Sequence, residues 1–274
     1  MESSRVVFCW FSGTGNTELV VRRMIAVFAA SGIPVDSCRV GRDRFPGLGK
    51  GAALGLGFPV AYQSTYPFVW DFIESLPPGE GAEAFMVDTL GGFSGGIVGP
   101  LRRRLAGKGY EPIGACEIRM PMNFGAVSRR AETSGAIVSA GLEAASGYAG
   151  DIIAGRSRWR RVPLLSDLMF LCHAAAVGLV RTKWSQSRYR VRTDRQSCTG
   201  CGVCASACPA GNIRMEMTEG DGRMPVFDDR CVFCLRCLAV CPTGANSSPL
   251  NRGERYVATL PAADAASRKA GHAL

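Results

Sequence analysis

Cys198-Thr-Gly-Cys201-Gly-Val-Cys204-Ala-Ser-Ala-Cys208-Pro209 and Cys231-Val-Phe-Cys234-Leu-Arg-Cys237-Leu-Ala-Val-Cys241-Pro242 are two copies of one pattern, C-x2-C-x2-C-x3-C-P. Three cysteines at intervals of three let a tight loop wrap one iron–sulfide cubane and ligate three of its irons. The fourth opens a short helix that points away, so it serves the neighbouring cluster. The spacing therefore assigns Cys198, Cys201, Cys204 and Cys241 to one [4Fe-4S] cluster. Cys231, Cys234, Cys237 and Cys208 hold the second. Structural zinc brings separated C-x2-C pairs around one ion, which a doubled run fits badly. Gly200 and Gly202 stand where backbone amides approach sulfide, and such N–H donors tune a cluster's potential.

The rest of the chain is a different material. It has 274 residues, of which 47% are hydrophobic and 20% charged, so a packed core is affordable and extended disorder is excluded. Two His in all make His-based metal or general-base chemistry a poor starting point. Four of the twelve Cys lie outside the blocks. Cys9, Cys38 and Cys116 in strand-like runs and Cys172 in an apolar helical run read as buried, inert thiols.

Upstream, residues 5 to 155 alternate between two periodicities. Strand-like runs occur at Arg5–Phe11, Val35–Val40, Leu54–Val60, Ala84–Thr89 and Ile113–Met120. Helix-like runs lie at Thr17–Ala30, Phe68–Leu76, Gly96–Gly107 and Arg130–Ala154. This alternation predicts a doubly wound parallel α/β sheet. Its first turn, Ser12-Gly13-Thr14-Gly15-Asn16-Thr17, opens a helix and is rich in hydroxyls and glycine. Backbone N–H groups and the helix dipole there suit a phosphate, and the side chains of Ser12, Thr14, Asn16 and Thr17 add donors. No Lys follows the glycines, so it is not a Walker loop. Glu18 stands where a dinucleotide fingerprint needs its third Gly.

With these motifs in hand the chain resembles the flavodoxin–ferredoxin fusion proteins over residues 5 to 250. Phe11-Ser-Gly-Thr-Gly-Asn-Thr17 is similar to the flavodoxin phosphate motif. Gly57-Phe-Pro-Val-Ala-Tyr62, Thr89-Leu-Gly-Gly-Phe-Ser94 and Met120-Pro-Met-Asn-Phe124 are similar to the later flavin loops, and Pro209-Ala-Gly-Asn-Ile213 to the ferredoxin part. The resemblance implies a flavodoxin-like doubly wound parallel sheet followed by a small α+β two-[4Fe-4S] ferredoxin domain. It implies FMN on Ser12, Gly13, Thr14, Gly15, Asn16 and Thr17, with its ring between Pro59–Tyr62 and Thr89, Gly91, Gly92, Phe93 and Ser94. Tyr62 and Phe93 are the stacking candidates, and Trp70 reads as core.

The expected division is a flavin domain at 1–156, a basic helical connector at 157–187, the cluster domain at 188–250 and a mobile tail at 251–274. The net charge of +9 is concentrated: Arg156 to Arg195 carries ten Lys or Arg against Asp167 and Asp194. In the connector, Leu164, Leu168, Leu171, Cys172, Ala175 and Leu179 share a helix face, expected to pack between the domains. An interfacial membrane helix is the other reading of that basic, apolar segment. The apolar stretch Val162–Val180 is broken by Pro163, Asp167 and His173, so no transmembrane span is expected. With no leader-like start, the expected compartment is the cytoplasm.

The functional expectation is an electron carrier that passes electrons between FMN and two clusters and on to a redox partner protein, an acidic one given the charge; nucleic acid is not expected. The alternative is an FMN-dependent reductase or oxidase of a small substrate, wired through the ferredoxin domain. Neither His173 nor His272 falls in an expected flavin loop, and no nicotinamide fingerprint is present. A flavin-free docking domain that carries a ferredoxin is the third reading.

Overall fold

The computed structural model of the chain describes residues 1–92, 96–123, 131–159, 165–218, 222–251 and 257–258, without the side chains of 131–133 and 165–168. Five strands form one parallel sheet: β1 (Arg5–Trp10), β2 (Val35–Arg39), β3 (Ala52–Pro59), β4 (Glu83–Leu90) and β5 (Glu111–Arg119). Their order is β2-β1-β3-β4-β5. This is the doubly wound order of flavodoxins, in which the strand sequence reverses between β1 and β3 and a crevice opens at their carboxyl ends. The continuous apolar run of β3 follows from its burial on both faces.

Helices cover both faces. α1 (Asn16–Ala30) and α4 (Ala131–Ile153) pack on one side over Phe8, Phe85 and Val87. α2 (Pro67–Ser75) and α3 (Val98–Gly107) cover the other, over Leu54, Leu56 and Met86. These elements lie within a few residues of the runs read from periodicity.

The connector folds as α5 (Leu165–Val180) and α6 (Lys183–Arg188), and no described helix is long and apolar enough to cross a membrane. Packing of α5 corrects one expectation. The face of Leu171, Cys172, Ala175 and Leu179 points outward, with Leu171 69% and Leu179 60% exposed; Leu164 and the Leu168 side chain lie outside the described residues. The helix instead buries the side of His173, because Phe170 meets the Trp70 ring edge-on at 5.6 Å and the His173 ring at 5.5 Å. Cys172 is therefore exposed rather than buried, whereas Cys9 and Cys38 are buried as expected and Cys116 partly so.

The second domain is small and built of short pieces: β6 (Arg192–Thr193) with β9 (Asn246–Ser247), the hairpin β7 (Ile213–Met217) and β8 (Arg223–Phe227), and one helical turn after each cysteine loop, α7 (Val203–Ser206) and α8 (Arg236–Ala239). Such a domain has little core of its own, here Val191, Leu235 and Leu238. Most of the segment expected to be a mobile tail lies outside the described residues. Val257 and Ala258 are described, and the Ala258 N–H donates to the Thr14 carbonyl at 2.8 Å.

One buried group stands out in the sheet. Asp88 of β4, between Phe58 and Glu117 in register, is fully buried and neither carboxyl oxygen has a hydrogen-bond partner. Burial, then the nearby Glu117 charge, holds its carboxyl well above the usual range. The unfolded chain releases this proton near pH 4. Stability is thus fully present below that pH and declines as pH rises toward the raised folded-state pKa. Asp88→Asn is expected to flatten this slope, stabilising the protein at pH 8 by about 1–3 kcal/mol and changing little at pH 4. Thermal melts across that range check it; parallel wild-type and variant profiles would reject the protonated assignment.

Candidate functional site

β1 delivers the chain to the crevice at Phe11, whose N–H bonds the Gly57 carbonyl of β3 at 2.9 Å. The loop then folds on itself: the Gly15 N–H donates to Ser12 Oγ at 3.0 Å. Gly15 has φ 104, a left-handed turn that lets α1 start at Asn16, and no side chain caps that helix start. Later loops hold this turn. Thr17 Oγ1 and Thr89 Oγ1 share a buried 2.7 Å hydrogen bond. Asn16 Nδ2 donates to the Pro121 carbonyl at 2.8 Å, and Asn123 Nδ2 to Thr14 Oγ1 at 3.1 Å. The three loops read separately from the sequence are thus one cradle.

A cavity of about 700 Å³ opens above it, within the usual size of small-molecule sites. Ser12, Gly13, Thr14, Asn16 and Thr17 line one end. Pro59, Tyr62, Thr89, Gly91 and Gly92 line its walls. Gly15 sits behind the lining, while Phe93 and Ser94 lie outside the described residues. Tyr62 and Gln63 adopt φ of 55 and 63 at the tip of a tight turn closed by Ala61 and Ser64. A helix-start loop free of side-chain caps, hydroxyls converging on it, and an apolar slot of this size fit the phosphate and ring of FMN.

The remaining wall comes from the second domain and the connector, and here sequence reasoning missed the contributors. Leu179, Val180 and Trp184 of the connector, Tyr189 just beyond it, and Phe233 and Leu235 of the second cysteine loop all line the cavity. Phe233 and Leu235 occupy the positions that Gly200 and Gly202 hold in the first loop. All four have positive φ: 48 and 58 for the bulky pair, 67 and 73 for the glycines. The first loop uses glycine where the backbone turns left-handed; the second accepts strain at the same two positions and gains two apolar side chains on the cavity wall. Comparing the two blocks residue by residue was the available signal.

The two domains meet at this wall. A Cβ on Gly13 would lie 2.2 Å from the Cys234 carbonyl oxygen, so only glycine permits the approach. Arg236 Nη1 donates to the Ser12 carbonyl at 2.6 Å, which brings a cation to a loop that has none in sequence. Tyr62 Oη donates to the Val232 carbonyl at 2.8 Å. Buried Gln186 of α6 brackets Cys231, accepting from its N–H at 3.1 Å and donating to its carbonyl at 2.9 Å. His173, absent from the expected flavin loops, has Nδ1 3.1 Å from the Tyr62 carbonyl. Burial holds it below the ordinary imidazole range against the opposing effect of that hydrogen bond.

The eight motif cysteines fall into two groups. Cys198, Cys201, Cys204 and Cys241 line one hollow together with Met215 and Pro225. Cys208 lies near enough to the second block for its charge to raise Cys231, Cys234 and Cys237, as that of Cys204 also raises Cys237. Burial is the larger cause in each, carrying Cys231 to about 11 and Cys234 to about 12. Among the described residues no three His, Cys, Asp or Glu side chains are drawn around a single ion. The groups differ in exposure. Cys234 is buried at the domain junction, whereas Cys201 is exposed and Cys198 borders an open basin of about 530 Å³ with Arg195 and Arg223.

Comparison with known proteins agrees with the second domain's spacing: residues 197–245 match the 4Fe-4S dicluster domain. Among solved structures the first domain is similar to flavodoxins. That of Megasphaera elsdenii is 23% identical over 52% of this chain and 98% of its own, with a TM-score of 0.34. That of Streptococcus pneumoniae is 16% identical over 55% and 98%, TM-score 0.40, and flavodoxin 2 of Bacillus cereus 14% identical over 55% and 98%, TM-score 0.41. No curated protein matches the chain significantly. The strand order and the dicluster match together give a flavodoxin-like domain followed by a ferredoxin-type domain, an electron-transfer architecture.

Arg236→Met tests the junction. A charge-assisted hydrogen bond of this kind contributes about 1.5–3 kcal/mol. Its loss is expected to speed amide exchange roughly ten- to hundredfold in residues 11–17 and 231–237, leaving the β7–β8 hairpin unchanged. Unaltered exchange in both loops would mean that Arg236 does not hold the domains together.

Proposed function

We propose that this protein is an electron-transfer flavo-iron-sulfur protein with one FMN and two [4Fe-4S] clusters, passing electrons between them and on to a partner protein. The observation that carries the reading is the contact of the phosphate loop with the loop of Cys231, Cys234 and Cys237, at Gly13 and Cys234. FMN exchanges electrons in pairs or singly and a cubane relays single electrons, so each needs the other nearby.

In this reading Ser12–Thr17 hold the phosphate through N–H and O–H donors at the start of α1. Pro59, Tyr62, Thr89, Gly91 and Gly92 flank the ring, and Phe233, Leu235 and Tyr189 exclude water from its cluster-facing side. Cys208, Cys231, Cys234 and Cys237 ligate the near cluster, and Cys198, Cys201, Cys204 and Cys241 the far one. The order is then flavin, near cluster, far cluster, partner. The basin beside Cys198, with Arg195 and Arg223 at its rim, suits an acidic redox protein. A flavin-free docking domain would have no use for an apolar slot walled by strained side chains.

The order is testable by anaerobic stopped flow on protein carrying about eight irons and one FMN. Electrons delivered to the flavin should appear on both clusters in wild type. Cys208→Ser, which lies in the first block but serves the near cluster, should damage the cluster of Cys231, Cys234 and Cys237 and cut transfer to the far one. Damage confined to the cluster of Cys198, Cys201 and Cys204 in EPR would reverse the assignment. For the flavin site, Thr14→Ala is expected to weaken FMN binding about ten- to hundredfold and to leave the iron content unchanged. Unchanged affinity in a titration of deflavinated protein would remove the loop from the site.

A further inference from the structure

The exposed face of α5 lies away from the cavity except at its end, where Leu179 also lines it. Leu171, Ala174, Ala175, Gly178 and Leu179 are exposed at helical positions i, i+3, i+4, i+7 and i+8, one continuous stripe. From Leu168 to Val180 the sequence has no Asp, Glu, Lys or Arg. Trp184, which borders the cavity but is still 63% exposed, extends the stripe onto α6. Water-facing stripes this apolar are unusual on a helix whose opposite side is already packed, here through Phe170 and His173.

The carboxyl end of the stripe is basic, and so is the sequence that precedes α5. Arg181, Lys183 and Arg188 are exposed after α5, and Arg158, exposed, stands before it with Arg160 and Arg161 next in sequence. That arrangement selects the occupant. Two copies of the chain that paired in parallel along the stripe would bring Arg181 and Lys183 against their own counterparts. Anionic lipid headgroups neutralise that basic end, acyl chains receive Leu171 and Leu179, and an exposed indole is suited to the headgroup level. At 16 residues α5 would lie in the plane of the surface rather than cross it.

We infer that the α5–α6 connector docks this protein on an anionic phospholipid surface, with the Leu171–Leu179 stripe inserted and its basic carboxyl end, Arg181, Lys183 and Arg188, on the headgroups. The contact goes beyond the electron-transfer reading and does not depend on it, since vesicle binding reports on the surface alone. The test uses the full holoprotein, purified anaerobically and sedimented with vesicles of phosphatidylcholine alone or mixed with phosphatidylglycerol. Wild type should bind the mixed vesicles, with a blue shift of tryptophan emission, and release them in high salt. Ala175→Glu, on the stripe and away from the cavity, should bind at least about tenfold less. Arg181→Gln with Lys183→Gln should lose about fivefold per charge. Iron and FMN contents should stay at wild-type levels in both variants. Equal binding to the two vesicle types, wild-type binding by Ala175→Glu, or a lipid-free dimer that Ala175→Glu splits would each overturn the inference.

Discussion

The contact between Gly13 and the Cys234 carbonyl is the constraint on which the rest of this molecule depends. A flavin crevice at the β1/β3 switch point is normally open on its outer side. Here the loop that would ligate a cluster closes it, and the closure is possible only because position 13 has no side chain. Arg236 to Ser12, Tyr62 to Val232 and Gln186 to Cys231 then tie the same seam from three directions. Each donates to or accepts from backbone, so the seam fixes main-chain positions on both sides rather than side-chain rotamers.

That seam also separates two electrostatic settings. The Cys231 and Cys234 thiols lie in a dry junction and their ionisation is opposed by burial. Cys198, of the other group, borders an open basin with Arg195 and Arg223, and Cys201 is exposed. Two loops of identical cysteine spacing thus stand in different surroundings, one dry and the other open to solvent beside positive charge.

Much of this was legible in the sequence, and for physical reasons. A strand buried on both faces is mostly apolar, which is why β3 stood out, and β4 despite Asp88, and helix periodicity marked α1 and α4. Cluster ligands are close in sequence, so cysteine spacing nearly specifies them. The phosphate loop was legible because strand, turn and helix start are contiguous. What the sequence hid is what two distant segments make together. Trp184 and Tyr189 give no local sign of facing a cavity whose other walls come from distant loops of the first domain. His173 reaches the Tyr62 carbonyl only through the docking of α5. The connector face was misread because an apolar helical stripe predicts burial against something, and the pattern alone does not say whether that something belongs to the chain.

The left-handed residues of the two cysteine loops lead to a last point about symmetry. The blocks are a duplication, and their backbones still follow the same path through Gly200, Gly202, Phe233 and Leu235. At position 200 a side chain would meet the Arg223 carbonyl at 2.7 Å, so that loop is closed to any larger residue. At position 233 glycine would relax the backbone and open a hole in the cavity wall. One copy is thus confined by crowding and the other by vacancy. A spliced protein with the two loops exchanged would keep every cysteine at its spacing, yet it would clash at one end and leak solvent at the other.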